Sequence, residues 1–153
     1  MRSSGNLNSL VFAAIVTLFL TLSVPSQSKK CRAESADRSV RCANILVEYP
    51  RVSTSRLTGK VEWPGDVPLI VEVYRIDRSE RKLSSYDLTK SRVPTHVFET
   101  DPSGSFCHPG LPEGYYVVRF GTDDGGWNCT WIKVRIANGL PKRTIRATLE
   151  IGI

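Results

Sequence analysis

Strand signals begin at residue 56, where apolar residues first recur at every second position, which is the period of a β-strand. The segment RLTGKVEW, residues 56–63, places Leu57 and Val61 on one face and Lys60 and Glu62 on the other. Further strand segments follow at PLIVEVYRI (68–76), HVFET (96–100), SFCH (105–108), YYVVRF (115–120), CTWIKVRIA (129–137) and RTIRATLEIGI (143–153). Short strands at this spacing predict a β-sandwich or a partly open barrel.

Glycine, proline, aspartate and asparagine cluster between these segments. In DPSGSFCHPGLPEGYYVVRF, residues 101–120, Gly104 and Gly114 can adopt the positive φ angles that tight turns often need. Pro112 sets φ for a turn that Gly114 completes, and the Asn-Gly pair at 138–139 is a hairpin signal. These residues therefore indicate turns between strands rather than a catalytic loop.

A run of charged residues at 77–95 interrupts the alternation. The segment DRSERKLSSYDLTKSRVPT has three apolar residues, Leu83, Tyr86 and Leu88, before the Val-Pro pair near its end. Pro94 disfavours helical backbone at the residue before it. The pattern fits either a charged surface loop or a short helix inserted between strands.

Residues 1–28 have the three regions of a secretory signal peptide. Arg2 supplies the basic start, LVFAAIVTLFLTLSV at 10–24 the apolar region, and Ser26 and Ser28 the small residues near a cleavage site. The apolar run is shorter than the ~20 residues of a membrane-spanning helix. We therefore expect cleavage and no membrane insertion afterwards, with an uncleaved N-terminal membrane anchor as the alternative.

Cleavage would leave about 125 residues, enough for one domain. Residues 29–55 are mostly polar and are predicted to form an N-terminal lead-in, and residues 56–153 are predicted to form the β-domain. A signal peptide followed by an even number of cysteines indicates a secreted or periplasmic protein with disulfide bonds.

The four cysteines, Cys31, Cys42, Cys107 and Cys129, allow three disulfide pairings. We expect Cys31–Cys42 and Cys107–Cys129, because each pair closes a short loop worth about 3 kcal/mol in the chain-entropy model. This pairing would tie the lead-in by its own bridge. Zinc is disfavoured, because the sequence has no C-x-x-C pair and only two histidines.

Charge and motifs argue against two classes of function. The net charge of +6 falls to +5 when Arg2 is removed with the signal peptide, and the basic residues at 75–82 are mixed with acids. We expect no nucleic-acid binding, since no basic stripe with stacking aromatics is present. His96 and His108 have no acid at a telling spacing and are predicted to be surface histidines. The protein is predicted not to be an enzyme and to need no cofactor or metal.

Loop aspartates are the residues most suited to calcium. Asp101, Asp123 and Asp124 follow strand segments, where carboxylate oxygens could bind the ion. Their spacing matches no calcium loop, so we expect them to cap turns.

Two tryptophans give the best candidate ligand site. Trp63 follows a strand segment and Trp127 lies in a Gly-rich loop, and exposed indole rings stack on sugars. Asp123, Asp124 and Asn128 would supply polar contacts beside Trp127. The alternative is that the rings pack against the core or the disulfides.

Four motifs follow one another within residues 56–151. They are Gly59-x-Val61, Pro68-x-x-Val71-x-Val73, Thr100-Asp101-x-x-Gly104-x-Phe106 and Leu111-Pro112-x-Gly114-x-Tyr116-x-Val118. This order resembles the carboxypeptidase regulatory-like domain, which is similar in fold to transthyretin, collagen-adhesin B-type repeats and starch-binding-like domains. The insertion at 77–95 and the position of Cys107 depart from the pattern.

The resemblance implies an all-β protein, a seven-stranded Greek-key β-sandwich of prealbumin type. It also implies a secreted, non-catalytic module with a binding or structural role at the cell envelope. Its partner would be a protein or a glycan. A carbohydrate-binding domain that uses exposed tryptophans is the alternative function. The motif is built from turn and core residues, so it specifies the fold better than the function.

Overall fold

The computed structural model describes residues 31, 36–43 and 46–151. The predicted signal peptide at 1–28 lies outside these residues. Within the described ranges, no helix is both long enough and apolar enough to cross a membrane.

Two packed β-sheets confirm the all-β prediction. A five-stranded sheet has the order β1-β7-β6-β3-β4, and a three-stranded sheet has the order β5-β2-β8. Neighbouring strands are antiparallel except for β1–β7 and β2–β8, which are parallel. The strands are β1 (Leu46–Thr54), β2 (Thr58–Glu62), β3 (Ile70–Ile76), β4 (His96–Glu99), β5 (Ser105–Cys107), β6 (Gly114–Gly121), β7 (Cys129–Ile136) and β8 (Ile145–Thr148).

The described residues contain eight strands rather than the expected seven, because β1 lies within the predicted lead-in. Its register against β7 shifts between Tyr49 and Val52, so one extra residue of β1 forms a β-bulge around Pro50 and Arg51. Tyr49 and Val52 both pack on the core, although an unbroken period of two would place them on opposite faces. The bulge therefore hides this strand from a search for alternation.

Each face of the five-stranded sheet carries its own apolar cluster. The inner core lies between the two sheets and includes Val71, Val73, Phe98, Phe106, Tyr116, Val118, Phe120, Ile132, Val134, Ile145 and Leu149. The outer core lies on the opposite face and comprises Val40, Ile70, Tyr74, Ile76, Leu88, Val117, Cys129 and Trp131. The central strands are thus buried on both faces, which explains their nearly continuous apolar sequences.

The insertion at 77–95 covers part of the outer core. It contains a 3₁₀ helix, Ser79–Lys82, and a short α-helix, α1 (Ser85–Thr89). The side chain of Ser84 caps α1 by accepting a hydrogen bond from the backbone of Asp87. Of the two alternatives left by the sequence, the short helix is therefore present, and its Leu88 packs on the sheet.

The turn between β4 and β5 has the predicted chemistry. Gly104 adopts φ +79°, and Oδ1 of Asp101 accepts hydrogen bonds from the backbone N–H groups of Ser103 and Ser105, both at 2.9 Å. Asp101 is therefore a turn-capping residue, as expected. Gly114 differs from the expectation, because it begins β6 without a positive φ.

The Asn-Gly turn at 138–139 does not form a hairpin. It follows β7 of the five-stranded sheet and leads to β8, which pairs with β2 in the other sheet. The hairpin prediction is wrong because Leu140 and Pro141 extend the loop and let the chain cross between the sheets.

The disulfides join Cys31 to Cys107 and Cys42 to Cys129, so the predicted pairing is wrong. The pairs are separated by 76 and 87 residues, and each bridge is worth about 4.5 kcal/mol in the chain-entropy model. Since β5 and β7 belong to different sheets, the two bridges attach the N-terminal segment to both sheets. The lead-in is therefore fastened to the sandwich and not to itself.

Candidate functional site

Trp63 and Trp127, the predicted sugar-stacking residues, do come together. Their ring centroids are 5.3 Å apart with the planes at 79°, and both half-buried rings pack against the inner core. The Trp63 ring lies directly over Gly65, where a Cβ would come within 2.2 Å of it. Nε1 of Trp63 is buried and has no acceptor among the described residues. The pair is an edge-to-face packing unit and not a flat two-ring platform.

The predicted polar partners of Trp127 are engaged elsewhere. Nε of Arg38 donates to Oδ2 of Asp123 at 2.8 Å, and this hydrogen bond lowers the pKa of Asp123. Oδ1 of Asp124 accepts from the hydroxyl of Thr122 at 2.6 Å and from the N–H of Gly126 at 2.9 Å, and both bonds lower the pKa of Asp124. Asp124 therefore caps its own turn, and Asp123 holds the N-terminal segment.

Asn128 and the third tryptophan belong to the interior. Asn128 is 1% exposed, and its Nδ2 donates to the carbonyl of Ile151 at 3.2 Å. Trp131 is also 1% exposed, and its Nε1 donates to Oγ1 of Thr89 in α1 at 3.2 Å. Both side chains are therefore almost fully shielded from solvent and hydrogen-bonded within the protein.

The histidines form a pair that sequence reasoning did not anticipate. His96 on β4 and His108 after β5 have ring centroids 4.7 Å apart. His108 is only 8% exposed, so the prediction of a surface histidine is wrong there, because the ring packs against Phe98. Desolvation, and secondarily the charge of His96, lowers the pKa of His108.

Glu72 carries an ionic network in the outer core. Nε of Arg119, directly opposite on β6, donates to Oε2 of Glu72 at 2.6 Å, and the two side chains form a salt bridge. The hydroxyl of Tyr74 donates to Oε2 at 2.6 Å and the N–H of Val40 donates to Oε1 at 2.8 Å. Burial, followed by the bond to Glu72, raises the pKa of Tyr74. This carboxylate is committed to structure, since it holds β3, β6 and the N-terminal segment together.

A basic cleft of about 170 Å³ lies where β1, β6 and β7 meet the 3₁₀ helix. Arg51, Arg81, Lys133 and Arg135 line it together with Tyr115. We call these five residues with their enclosed space the basic cleft. Its cations come from three separate parts of the chain, which only the fold brings together.

The sheet register builds the base of the basic cleft. Arg135 on β7 lies opposite Tyr115 on β6 and opposite Ser53 on β1, and Tyr115 in turn lies opposite Ile76 on β3. Arg81 of the 3₁₀ helix stacks over this row, with its Cζ 4.9 Å from the centroid of the Tyr115 ring. An arginine is thus held against an aromatic face at the rim of the cleft.

The β-bulge in β1 contributes Arg51 to the basic cleft. Nη2 of Arg51 donates to the carbonyl of Arg81 at 2.6 Å, which joins the bulge to the 3₁₀ helix. Bulges re-aim side chains and are over-represented beside functional sites. Pro50, which precedes Arg51, has no N–H to donate in a strand ladder and so suits this irregular position.

Lys133 differs from the three arginines of the basic cleft, because it is neutralised. Its Nζ lies 2.8 Å from Oε1 of Glu48 and donates to the carbonyl of Leu83 at 2.6 Å. Burial opposes ionisation of Glu48, but hydrogen bonds from Lys133 and Ser85 outweigh it and lower the pKa of Glu48. Among the described residues, no carboxylate forms a salt bridge with Arg51, Arg81 or Arg135. The cleft therefore holds three positive charges that no described carboxylate neutralises by a salt bridge.

No family model, no curated protein and no solved structure matches this chain. We therefore infer the function of the protein from the geometry of its surfaces. The sequence singled out neither Arg51 nor Arg135, because each looks like an ordinary solvated charge within its own segment. The one local signal is Pro50-Arg51 inside an otherwise strand-like stretch, which marks an irregular position.

Proposed function

We propose that this protein is an exported, non-catalytic β-sandwich module that binds a ligand in the basic cleft. The observation that carries the proposal is the convergence of Arg51, Arg81 and Arg135 on a cavity walled by Tyr115, with no carboxylate partner for any of them within the described ranges. Ligand sites typically combine apolar walls with a few placed polar groups. The rigid, cross-linked scaffold would hold these groups in place before the ligand arrives.

Export is part of the same proposal. Two disulfides that join distant parts of one domain are typical of oxidising compartments. The apolar run at 10–24, after a basic start, supports a cleaved secretory signal. We place the mature protein outside the cytoplasm, at the cell envelope.

The prealbumin-type fold and the kinship with carboxypeptidase regulatory-like domains are also proposed. The motif residues Val61, Val71, Val73, Phe106 and Tyr116 all lie in the inner core, where the resemblance requires them. Domains of this kind would serve as accessory modules, which agrees with a non-catalytic role.

NMR mapping on ¹⁵N-labelled protein tests the ligand-binding proposal. The protein is titrated with small aromatic fragments that are anionic, neutral or cationic. We expect saturable shifts at the amides of Ser53, Tyr115 and Arg135, and none at Arg146 on β8 of the other sheet. If no fragment of any charge gives saturable shifts at the cleft, the proposed site is wrong.

Turnover of a substrate that is abolished by His96→Ala or His108→Ala would contradict the non-catalytic role.

The tryptophan pair supports carbohydrate binding as a second candidate function. Trp63 and Trp127 are both partly exposed, and the Nε1–H of Trp63, which has no acceptor in the described part of the chain, would donate to a sugar hydroxyl after a small ring movement. A polysaccharide pull-down with Trp127→Ala tests this, with Tyr86→Ala as a control at an exposed aromatic on α1. Retention on a polysaccharide should fall with the first variant only; equal retention of both variants would remove this candidate.

A further inference from the structure

We infer that the basic cleft takes a single phosphate or sulfate monoester group, with the organic part of the ligand against Tyr115; this inference rests on the proposed function. Three properties of the basic cleft favour this class of ligand: its charge, its open hydrogen-bond donors and its volume.

The charge balance of the basic cleft favours a strong oxyanion. Glu48 already neutralises Lys133, which leaves the guanidinium groups of Arg51, Arg81 and Arg135 without a counter-charge among the described residues. A cationic ligand would be repelled, and a neutral one would leave the charges unbalanced. A phosphate monoester at neutral pH carries ≈ −1.5 to −2 of charge, which balances three guanidiniums better than one carboxylate does. A sulfate monoester carries a single negative charge, like a carboxylate, and differs from it by offering three terminal oxygens to the arginines.

The donors that remain open suit tetrahedral oxygens. Nε of Arg81 is used by the carbonyl of Arg78, and one Nη of Arg51 is used by the carbonyl of Arg81. The other N–H groups of these two side chains, and the whole guanidinium of Arg135, have no acceptor in the described part of the chain. Arginine forks match phosphate and sulfate oxygens, and three arginines can serve three terminal oxygens of one ester.

The volume of the basic cleft limits the ligand to one such group. A volume of about 170 Å³ is below the ≈ 300–1,000 Å³ of typical small-molecule pockets, so the cleft accommodates one such group and not several. A phosphate or sulfate ester, with its central atom, four oxygens and first carbon, is of this size. Beyond it, the side chains of Val52, Ile76 and Tyr115 offer an apolar wall for the attached carbon skeleton.

Calorimetric titration of the full mature protein tests the ligand class. The probes are phenyl phosphate, phenyl sulfate, inorganic phosphate and benzoate, which share either the ring or the anion. We expect phenyl phosphate to bind at least about tenfold more tightly than benzoate, and phenyl sulfate to bind with an affinity between the two, because it has three terminal oxygens but a single negative charge. Phenyl phosphate should also bind more tightly than inorganic phosphate because the ring contacts Tyr115. Arg135→Gln should weaken ester binding about ten- to hundredfold, the cost of losing a charge-assisted hydrogen bond.

Matched variants separate the cleft from general surface charge. Arg146→Gln makes the same charge change at an exposed position on β8 and should alter the ester affinity less than twofold. Arg51→Gln is a second cleft variant and should act in the same direction as Arg135→Gln. The thermal midpoint of each variant checks that the fold is retained. We expect Arg135→Gln to stay folded, because Arg135 makes no side-chain hydrogen bond among the described residues.

A sulfated hexasaccharide distinguishes a free ester from an ester carried on a glycan. If it binds more tightly than phenyl sulfate and Arg135→Gln weakens it more than Arg146→Gln, the glycan is the source. If the two bind equally, the small ester suffices. If Arg135→Gln and Arg146→Gln weaken it equally, or esters do not bind, the inference is wrong. Benzoate binding as tight as phenyl phosphate, with shifts at the cleft, would overturn the ligand class and leave the proposed function intact.

Discussion

Glu72 is 1% exposed, and its charge is tolerated because Arg119, Tyr74 and the N–H of Val40 all donate to it. A buried carboxylate is costly unless it is both paired and hydrogen-bonded. The sequence shows Glu72 only as a polar residue within the apolar run PLIVEVYRI. Its partner on β6 could not be identified without the register of the sheet.

Replacing the cationic partner should be severely destabilising. Arg119→Met would leave the charge of Glu72 buried with only neutral donors, and we expect a loss of about 3 kcal/mol in the free energy of unfolding. Urea denaturation measures it. The matched control Arg146→Met removes an exposed arginine and should change stability by less than about 0.5 kcal/mol. Equal effects of the two substitutions would show that the network contributes nothing.

His108 should make stability depend on pH. Burial and the nearby His96 lower the pKa of the folded His108 below its ordinary value of 6.5, whereas the unfolded chain titrates near that value. Between the two pKa values the unfolded state binds more protons, so stability falls as the pH decreases below about 6.5. Above that pH, both states are neutral at this residue and it contributes no slope.

The variant His108→Gln isolates this effect. The difference in thermal midpoint between the parent protein and the variant should shrink as the pH is lowered from 8 to 5. The parent protein loses stability over this range because the unfolded chain takes up a proton at His108 more readily than the folded protein does. A difference that stays constant over this range would contradict the assignment of the pH dependence to His108.

At the scale of the secondary-structure elements, some turns require a glycine and others tolerate a side chain at the same kind of position. A Cβ at Gly104 would come within 2.0 Å of the carbonyl oxygen of Val61, and the residue has φ +79°. Gly104→Ala should therefore cost at least about 2 kcal/mol in the free energy of unfolding. Gly110 has open space around it and no positive φ, so Gly110→Ala should be neutral or stabilise by up to about 1 kcal/mol. Comparable losses in chemical denaturation would contradict this reading of the turns.

The strands show which parts of the fold a sequence can reveal. Segments β2 to β8 were predictable because their apolar residues alternate or, in the central strands, form nearly continuous runs, and because turn residues separate the segments. The first strand was not, because the bulge at Pro50 and Arg51 shifts the alternation by one residue. The basic cleft could not be predicted from the sequence for a related reason. The sheet register, and not a local sequence pattern, brings Arg51, Arg81 and Arg135 together.

For the whole molecule, the two disulfides decide how the N-terminal segment is held. Loop length misled the sequence analysis, because folding places Cys31 beside Cys107 and Cys42 beside Cys129 although 76 and 87 residues separate them. Arg38, which reaches both Asp123 and Glu99, adds ionic contacts between the bridges. The segment thus acts as a strap across the sandwich.

Paired cysteine replacements test the strap. The double variant Cys31→Ser/Cys107→Ser removes one bridge and should keep the other, with an expected loss of about 2–5 kcal/mol in the free energy of unfolding. The double variant Cys31→Ser/Cys42→Ser breaks both bridges and should be less stable and react with a thiol reagent at two free cysteines. A double variant Cys31→Ser/Cys42→Ser with no reactive thiol would contradict the pairing.

The most direct test of the account is the disulfide map of the purified protein, obtained by proteolysis without reduction and mass spectrometry of the linked peptides. If the N-terminal segment is joined to both sheets as described, a peptide containing Cys31 will be linked to one containing Cys107, and a peptide containing Cys42 to one containing Cys129. Links between Cys31 and Cys42 and between Cys107 and Cys129 would contradict it, because no disulfide would then join the N-terminal segment to either sheet.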